Sequence, residues 1–273
     1  MIQQIKWFLT KLPPWCERFM MFMVRVVFYH PFYRGDKLTC PCCGKGHRKF
    51  KNITTSSFNA NSTAHIETET LCTYCCSLPR QRVICHWLAN NFTAGKSTGQ
   101  QNILFAPEPC VMKYLKRANI PFKTSDLFRK GCDLQIDLCD IRLPDSSQDL
   151  LICNHILEHV PDDRLAISEL ARVLTNTGTL LVIVPMDLDM ETTKESDIDP
   201  SLSPRAKAQA RTEQFGQQDH VRLFGRDLQG KLEADFNVTV YDGSQENEKV
   251  MPKYGPFALD VNLLYVCTKK ASA

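Results

Sequence analysis

The sequence lacks a strong charge of either sign, a long basic run and a long apolar run. Its 33 Lys and Arg residues against 30 Asp and Glu residues leave a formal net charge of +3. So small a charge, without a basic cluster, gives no electrostatic reason to expect a nucleic-acid partner. The stretch Gly95-Lys96-Ser97 also lacks the first glycine of a nucleotide-binding P-loop, which excludes that class of ATPase or GTPase.

Residues 1–33 combine aromatic and basic side chains but contain no segment that could span a bilayer. The apolar run from Phe19 to Tyr29 is interrupted by Arg25 and falls short of the ~20 residues that a spanning helix needs. It lies too late for a signal peptide, and no small-residue cleavage site follows it. Two interpretations remain open for 1–33: an amphipathic anchor on an anionic inner membrane, or a helix whose aromatic face packs on the rest of the protein.

Cysteine is abundant, with 13 residues, and six of them fall in two tight groups, at 40–43 and 72–76. Two C-x-x-C pairs can each form a turn that points two thiolates at one cation. We therefore predict a structural zinc ion bound by four thiolates: Cys40, Cys43, Cys72 and Cys75. Cys42 and Cys76 leave the register open, and His47 and His65 are alternative ligands.

The cysteine pairs define a predicted zinc-binding module at 36–95, with a ribbon-like hairpin between the pairs and a connecting helix after them. A module of this size cannot assemble enough hydrophobic core unaided, so the metal is expected to hold it folded. The remaining cysteines are scattered through apolar or loop contexts, which indicates a reducing compartment. The expected location is the cytoplasm, at the periphery of the inner membrane if 1–33 is an anchor.

The segment 100–271 has the pattern of an α/β domain. A β-rich run begins at Ile103, Pro109 suits the first turn of a helix, and a second β-rich run ends at Asp126. This is the spacing of a strand–helix–strand unit whose second strand offers a carboxylate to a ribose.

A second strand–helix–strand unit follows. The apolar run Asp149–Cys153 ends in polar Asn154 and His155. From Ile167, apolar residues recur at i+3, i+4 and i+7, which predicts one buried helical face, and the run Leu180–Val184 predicts a strand covered on both faces. Ligands gather at the carboxyl ends of such parallel strands, which is where Asn154 and His155 lie.

These segments resemble a class I S-adenosylmethionine-dependent methyltransferase of the type 11 group, over roughly 102–269. The resemblance rests on the stretches DLCDIRLPDSSQD at 137–149, NHILEH at 154–159 and RVLTNTG at 172–178. A subgroup is indicated by CCSLPRQR at 75–82, APEP at 106–109 and FGQQDHVRLFGRD at 215–227. The resemblance implies a three-layer Rossmann-like sandwich, with a seven-stranded, mostly parallel sheet whose last strand is antiparallel. It also implies methyl transfer from S-adenosylmethionine to a small polar acceptor.

The resemblance further implies which residues bind the cofactor. They are Asp126 at the ribose, Asp137 and Leu138 at the adenine, Ala106, Pro107 and Glu108 at the methionine end, and Asn154 beside the methyl group. This chain departs from the family at the loop after the first strand, where most members have G-x-G-x-G. Pro107 and Pro109 have no N–H group, so the contacts there must be rearranged. A zinc-stabilised binding or scaffold protein that has lost the cofactor is therefore the alternative function.

A hydroxyl acceptor would need a general base. The candidate catalytic residues are His155, His220 and Asp219, with Glu158 as a second acid that could orient a histidine. Gln217 and Arg222 are the candidates for binding the acceptor, and the polar stretch 187–214 is expected to form a mobile lid. The alternative for 219–222 is a hydrogen-bonded anchor that fixes the loop.

The stretch from His155 to His159 also matches the H-x-x-E-H pattern of a class of zinc peptidases. That chemistry needs both histidines on one helical face. Because the stretch here straddles a strand end and a helix start, we expect the two histidines not to share a face.

Overall fold

The computed structural model of the chain describes residue 27 and residues 30–56, 64–92, 101–243 and 263–270, with the backbone alone at 54–56 and 64–69. Most of the predicted anchor at 1–33 lies outside the described residues. Within them, no helix is both long enough and apolar enough to cross a bilayer.

The helices and strands follow in a fixed order along the chain. The amino-terminal part contains α1 (His30–Tyr33), β1 (Arg34–Thr39), β2 (Gly46–His47), β3 (Lys51–Ser56), β4 (Ala64–Leu71) and α2 (Pro79–Asn91). The middle part contains β5 (Asn102–Phe105), α3 (Pro109–Arg117), β6 (Lys123–Ser125), β7 (Gln148–Asn154), α4 (Asp163–Val173) and β8 (Leu174–Ile183). The last part contains β9 (Lys194–Glu195), α5 (Pro204–Phe215), β10 (Arg222–Leu223), α6 (Leu228–Glu233), β11 (Phe236–Asp242) and β12 (Leu263–Lys269).

The central sheet has the strand order β11-β12-β8-β7-β5-β6. Strands β6, β5, β7 and β8 are parallel to one another, while β12 is antiparallel to both β8 and β11. The chain moves outward from β5 to β6 and then returns to place β7 on the other side of β5. The topological switch point therefore lies between β5 and β7, where α/β proteins bind their ligands.

The Rossmann-like α/β prediction is confirmed, whereas the expectation of seven strands is not, because the sheet formed by the described residues has six. The position beyond β6 holds a single parallel bridge between Ser125 and Leu134 instead of a strand. Because only this one pair of residues is bridged, the segment before Asp137 follows the edge of the sheet as a loop.

Both faces of the sheet are covered, which explains the unbroken apolar runs of its strands. On β7, Leu151 and Cys153 face one hydrophobic cluster with α4, while Leu150 and Ile152 face a second cluster with α2 and α3. This alternation is the period-2 pattern of a strand between two layers.

The second hydrophobic cluster joins the cysteine-rich segment to the sheet. It contains Leu38, Phe50 and Val83 from the amino-terminal part together with Leu104 and Leu181 from the sheet. The predicted module 36–95 and the predicted domain 100–271 thus share one core.

The polar stretch 187–214, predicted as a lid-forming loop, contains a short strand and a helix. It contains β9, which pairs antiparallel with β10, and α5. Helix α5 is delimited by strong local signals: Ser203 caps its start, Pro204 takes the first helical position, and Gly216 adopts a left-handed conformation with φ of 74° after its end. These signals override the polarity from which a loop was predicted.

Candidate active site

Two residues in the left-handed region mark the edge of the sheet at the switch point. Ala106, directly after β5, has φ of 43°, and His155, directly after β7, has φ of 53°. A non-glycine residue in this region costs roughly 1–2 kcal/mol, so surrounding contacts must hold it there. Strain at the ends of two adjacent strands marks this edge as the candidate site.

Glu108 connects the two strand ends. Its Oε2 accepts a hydrogen bond from Asn154 Nδ2 at 2.5 Å. Its Oε1 accepts one from Gln81 Nε2 and lies 3.8 Å from Arg80 Nη2. The amide N–H of Ala106 is already used, since it donates to the carbonyl of Ser125 at 2.8 Å. Pro107 and Pro109 supply no backbone donor at this loop, and the Glu108 side chain gives it an acceptor that is held by donors from β7 and α2.

Arg80 and Gln81 belong to the first turn of α2, which follows the second cysteine pair, and sequence reasoning did not assign them to the site. Gln81 is buried, and its Oε1 also accepts the N–H of Leu78 at 2.6 Å, which fixes the side chain at the helix start. The signal that could have found them is their position in the 75–82 motif.

The two predicted cofactor acids each hold a local turn. Asp126 Oδ1 accepts the N–H groups of Phe128 and Arg129, both at 2.9 Å. Asp137 Oδ1 accepts the N–H of Cys139 at 2.9 Å. These contacts keep both carboxylates oriented at the edge, whereas the side chain of Leu138 is buried in the first hydrophobic cluster.

The turn after β7 brings together an acid and three histidines. Glu158 Oε1 lies 3.4 Å from His155 Nδ1 and 3.8 Å from His159 Nε2. The rings of His159 and His220 meet edge to face, with centroids 4.7 Å apart. Burial of His220 lowers its pKa, so its neutral form is favoured in the fold.

Asp219 contacts His159 rather than His220, which it was predicted to orient. Its Oδ2 lies 3.4 Å and its carbonyl oxygen 3.3 Å from His159 Nδ1, and the side chain is 63% exposed. Gln217 is exposed next to it.

Arg222 was predicted to bind the acceptor, but its contacts are those of an anchor. Its side chain is only 3% exposed. Nη1 donates to the carbonyls of Leu157 at 2.8 Å and Val160 at 2.5 Å, Nη2 donates to Pro161 at 3.2 Å, and Nε pairs with Glu195 at 3.1 Å. The guanidinium makes its hydrogen bonds to the turn after β7, which is the arrangement expected of a hydrogen-bonded anchor.

The H-x-x-E-H stretch lies in that turn and not on a helix, because α4 begins only at Asp163. His155 and His159 therefore share no helical face, as expected, and the geometry of a zinc peptidase is not present in this stretch.

The four predicted zinc ligands lie together away from this edge. The sulfurs of Cys40, Cys43, Cys72 and Cys75 are all within 4.8 Å of one another. The Sγ atoms of Cys40 and Cys75 are 3.7 Å apart and those of Cys43 and Cys72 are 3.8 Å apart. Thiolates at tetrahedral corners, 2.3 Å from zinc, would be about 3.8 Å apart, so the cluster fits zinc.

The two cysteine turns have the same backbone structure. Gly44 N–H donates to Cys40 O at 2.8 Å, and Cys76 N–H donates to Cys72 O at 2.9 Å. Gly44 and Cys76 are both left-handed, with φ of 72° and 61°. Cys76 thus occupies the turn position that Gly44 has in the first pair.

The surroundings of the thiols favour a bound cation. Hydrogen bonds from Cys42 and the other thiols lower the pKa of Cys40, while hydrogen bonds with Cys40 raise that of Cys72. Four thiols this close can all ionise only if a cation offsets their charge. His47 Nε2 lies 3.4 Å from Cys72 Sγ, and the side chain of His65 lies outside the described residues.

Sequence comparison finds similarity to methyltransferases over one segment of the chain. Residues 112–182 match the family described as a methyltransferase domain. A protein described as a probable S-adenosylmethionine-dependent methyltransferase, in two strains of Mycobacterium tuberculosis, is 31% identical over 67 residues, which are 24% of this chain and 24% of the relative. The matched part thus spans about a quarter of those relatives, and the 75–82, 106–109 and 215–227 motifs lie outside the matched family segment.

Solved methyltransferase structures are also similar. The 1,6-didemethyltoxoflavin-N1-methyltransferase of Burkholderia thailandensis has a TM-score of 0.45 at 12% identity, covering 71% of this chain and 79% of that one. A Thermotoga maritima S-adenosylmethionine-dependent methyltransferase has a TM-score of 0.40 at 16% identity, covering 70% and 99%.

Proposed function

We propose that this protein transfers a methyl group from S-adenosylmethionine to a small polar acceptor. The observation that carries the proposal is the Glu108–Asn154 hydrogen bond across the switch point, flanked by left-handed Ala106 and His155. It places polar, strained residues where an α/β sheet binds its ligand. The methyltransferase-domain match at 112–182 includes β6 on one side of this crevice and β7, α4 and most of β8 on the other.

The residues at the edge fit the cofactor. Asp126 would accept hydrogen bonds from the ribose hydroxyls, and Asp137, with the backbone of Leu138, would lie at the adenine. Beside Pro107, the Glu108 carboxylate suits the ammonium of the methionine end, and the neighbouring Arg80 suits its carboxylate. When bound, S-adenosylmethionine supplies an electrophilic methyl group.

His155 is the proposed general base for a hydroxyl acceptor. It directly follows Asn154, and the Glu158 carboxylate lies 3.4 Å from its Nδ1, outside hydrogen-bonding geometry but near enough for its negative charge to favour the tautomer that holds its proton there. Nε2, which is buried in this structure, would take the proton that the acceptor loses once the acceptor is bound against it. We prefer His155 to His220 because His220 is buried against His159. Gln217, exposed beside Asp219, remains the proposed acceptor contact.

We propose a structural zinc ion at the cluster of Cys40, Cys43, Cys72 and Cys75. For 1–33 we propose peripheral contact with a membrane surface, which would suit a glycan or envelope precursor as acceptor. Flotation with anionic vesicles should recover the full chain and not a chain lacking 1–33, and equal recovery would remove the anchor.

Isothermal titration of the zinc-loaded chain with S-adenosylhomocysteine tests the proposed function. We expect binding, and Asp126→Ala should weaken it by about 1–3 kcal/mol, roughly 5- to 150-fold in Kd. Asp140→Ala, which removes an exposed carboxylate from a neighbouring loop, is the matched control and should bind as the unmodified chain does. Absence of binding by folded protein would instead support the scaffold alternative.

A further inference from the structure

We propose that Glu158, His159 and His220 form a second metal site, which binds one divalent transition-metal cation through a carboxylate oxygen and two imidazole nitrogens. One ligand atom from each residue lies within 4.8 Å of the other two. The three residues come from the turn after β7 and from the segment before β10, so the site closes only in the folded chain.

The first argument is the environment of Glu158. Its side chain is 0% exposed, and neither carboxylate oxygen accepts a hydrogen bond from the described residues. The neighbouring atoms His155 Nδ1 and His159 Nε2 are near enough for charge attraction but do not form hydrogen bonds with it. A fully buried carboxylate without hydrogen-bond donors is strongly unfavourable unless a cation pairs with it.

The second argument is the orientation of His159. Its Nδ1 faces the carbonyl oxygen of Asp219 at 3.3 Å and Asp219 Oδ2 at 3.4 Å. Two acceptors on that side favour a proton on Nδ1 and leave the lone pair on Nε2. Nε2 points toward Glu158 Oε1, 3.8 Å away. A histidine ligand is typically held in this way, with one nitrogen donating to a carbonyl or carboxylate and the other free to bind metal.

The third argument is that the surrounding contacts hold the ligands in place. Val221 N–H donates to the carbonyl of Glu158 at 2.9 Å, which ties the segment of His220 to the turn of Glu158 and His159. Arg222 donates to the carbonyls of Leu157 and Val160 on either side of these two residues. Arg222 is therefore a positioning residue for the site.

The separation of Glu158 and His159 suits a transition metal after a small closure. Ligand atoms about 2.1 Å from a cation at tetrahedral angles are about 3.4 Å apart, against 3.8 Å between Glu158 Oε1 and His159 Nε2. One carboxylate with two imidazoles favours zinc, iron(II), cobalt or manganese over calcium and magnesium. Beside His155, a cation with open positions could bind and polarise an acceptor oxygen. That role rests on the proposed function, whereas the metal site itself does not.

Cobalt(II) titration of the full-length, zinc-loaded protein tests the site, followed by calorimetry and absorption spectroscopy. We expect one Co²⁺ per chain with weak d–d bands, and without the thiolate-to-cobalt charge-transfer bands that occupation of the cysteine cluster would give. Glu158→Gln and His159→Gln should each weaken binding at least tenfold. Asp219→Ala, which removes an exposed partner of His159, should weaken it about tenfold.

Glu213→Gln, an exposed carboxylate on α5, is the matched control and should leave Co²⁺ binding unchanged. The proposal is overturned if the unmodified protein takes up no Co²⁺ beyond its zinc, or if folded Glu158→Gln binds Co²⁺ as tightly as the unmodified protein. The Co²⁺ titration of the unmodified protein tests the proposal even if a variant fails to fold. Co²⁺ binding without S-adenosylhomocysteine binding would uphold the metal site and reject the proposed methyl transfer.

Discussion

A single guanidinium, that of Arg222, holds the turn that carries Glu158 and His159. It donates to three carbonyl groups, those of Leu157, Val160 and Pro161. Arginine suits this role because its planar group has five N–H donors in a fixed arrangement. The strained backbone of His155, only two residues earlier in the chain than Leu157, therefore lies next to a fixed turn.

Replacement of Arg222 by methionine should destabilise the protein. The change keeps much of the side-chain volume but leaves three carbonyls without their donor and Glu195 with Lys231, 3.9 Å away, as its remaining cationic partner. We expect the free energy of unfolding to fall by about 3 kcal/mol, measured by urea denaturation with zinc present. The matched control is Arg226→Met, because the Arg226 side chain is 55% exposed and should change stability by less than ~1 kcal/mol. Equal effects of the two variants would contradict the anchor role.

At the scale of elements, the two cysteine turns are built alike, although different residues occupy their left-handed position. Gly44 follows the first pair and Cys76 follows the second, both in the left-handed region. The ring of hydrogen bonds in each turn directs the sulfurs of the first and fourth residues inward, so the intervening Cys42 packs in the hydrophobic core.

Serine substitutions at Cys75 and Cys76 should distinguish a zinc ligand from a cysteine that does not bind the metal. Cys75→Ser removes one of the four clustered sulfurs, so the purified protein should contain far less zinc and lose thermal stability, because the metal contributes folding free energy. Cys76→Ser changes a sulfur outside the cluster and should keep a full zinc complement. Metal analysis of both variants checks this. Loss of zinc from Cys76→Ser alone would show that Cys76, and not Cys75, is the ligand.

Much of the architecture could be predicted from local sequence patterns. The apolar run at 149–153, the helical spacing from Ile167 and the acid at the end of β6 all reflect periodicity or short-range chemistry. Contacts between distant segments could not be predicted in this way. Arg80 and Gln81 reach Glu108 only because α2 packs on the sheet, and β10 is a strand only because Lys194–Glu195 lies beside it.

At the scale of the whole molecule, α2 connects the cysteine cluster to the edge of the sheet at the switch point, where we propose that the cofactor binds. Ser77, two residues after Cys75, has its Oγ 3.2 Å from Cys40 Sγ and its carbonyl bonded by Arg82 at 2.9 Å. Arg82 lies in the first turn of α2, next to Gln81, which contacts Glu108. The cysteine cluster therefore supports the start of the helix that reaches the loop after β5.

Removal of zinc should accordingly weaken cofactor binding, although no zinc ligand lies at the cofactor edge. Without the metal, the four thiols lose their common partner, the Ser77 turn loosens, and Arg80 and Gln81 lose their fixed position beside Glu108. We expect S-adenosylhomocysteine affinity, measured by calorimetry, to fall at least tenfold after chelation and to return when zinc is restored. Gln81→Ala in zinc-loaded protein should reproduce part of that loss, because it removes the contact without disturbing the cluster. An affinity that is unchanged in zinc-free, folded protein would mean that the cysteine-rich segment and the cofactor edge are energetically independent.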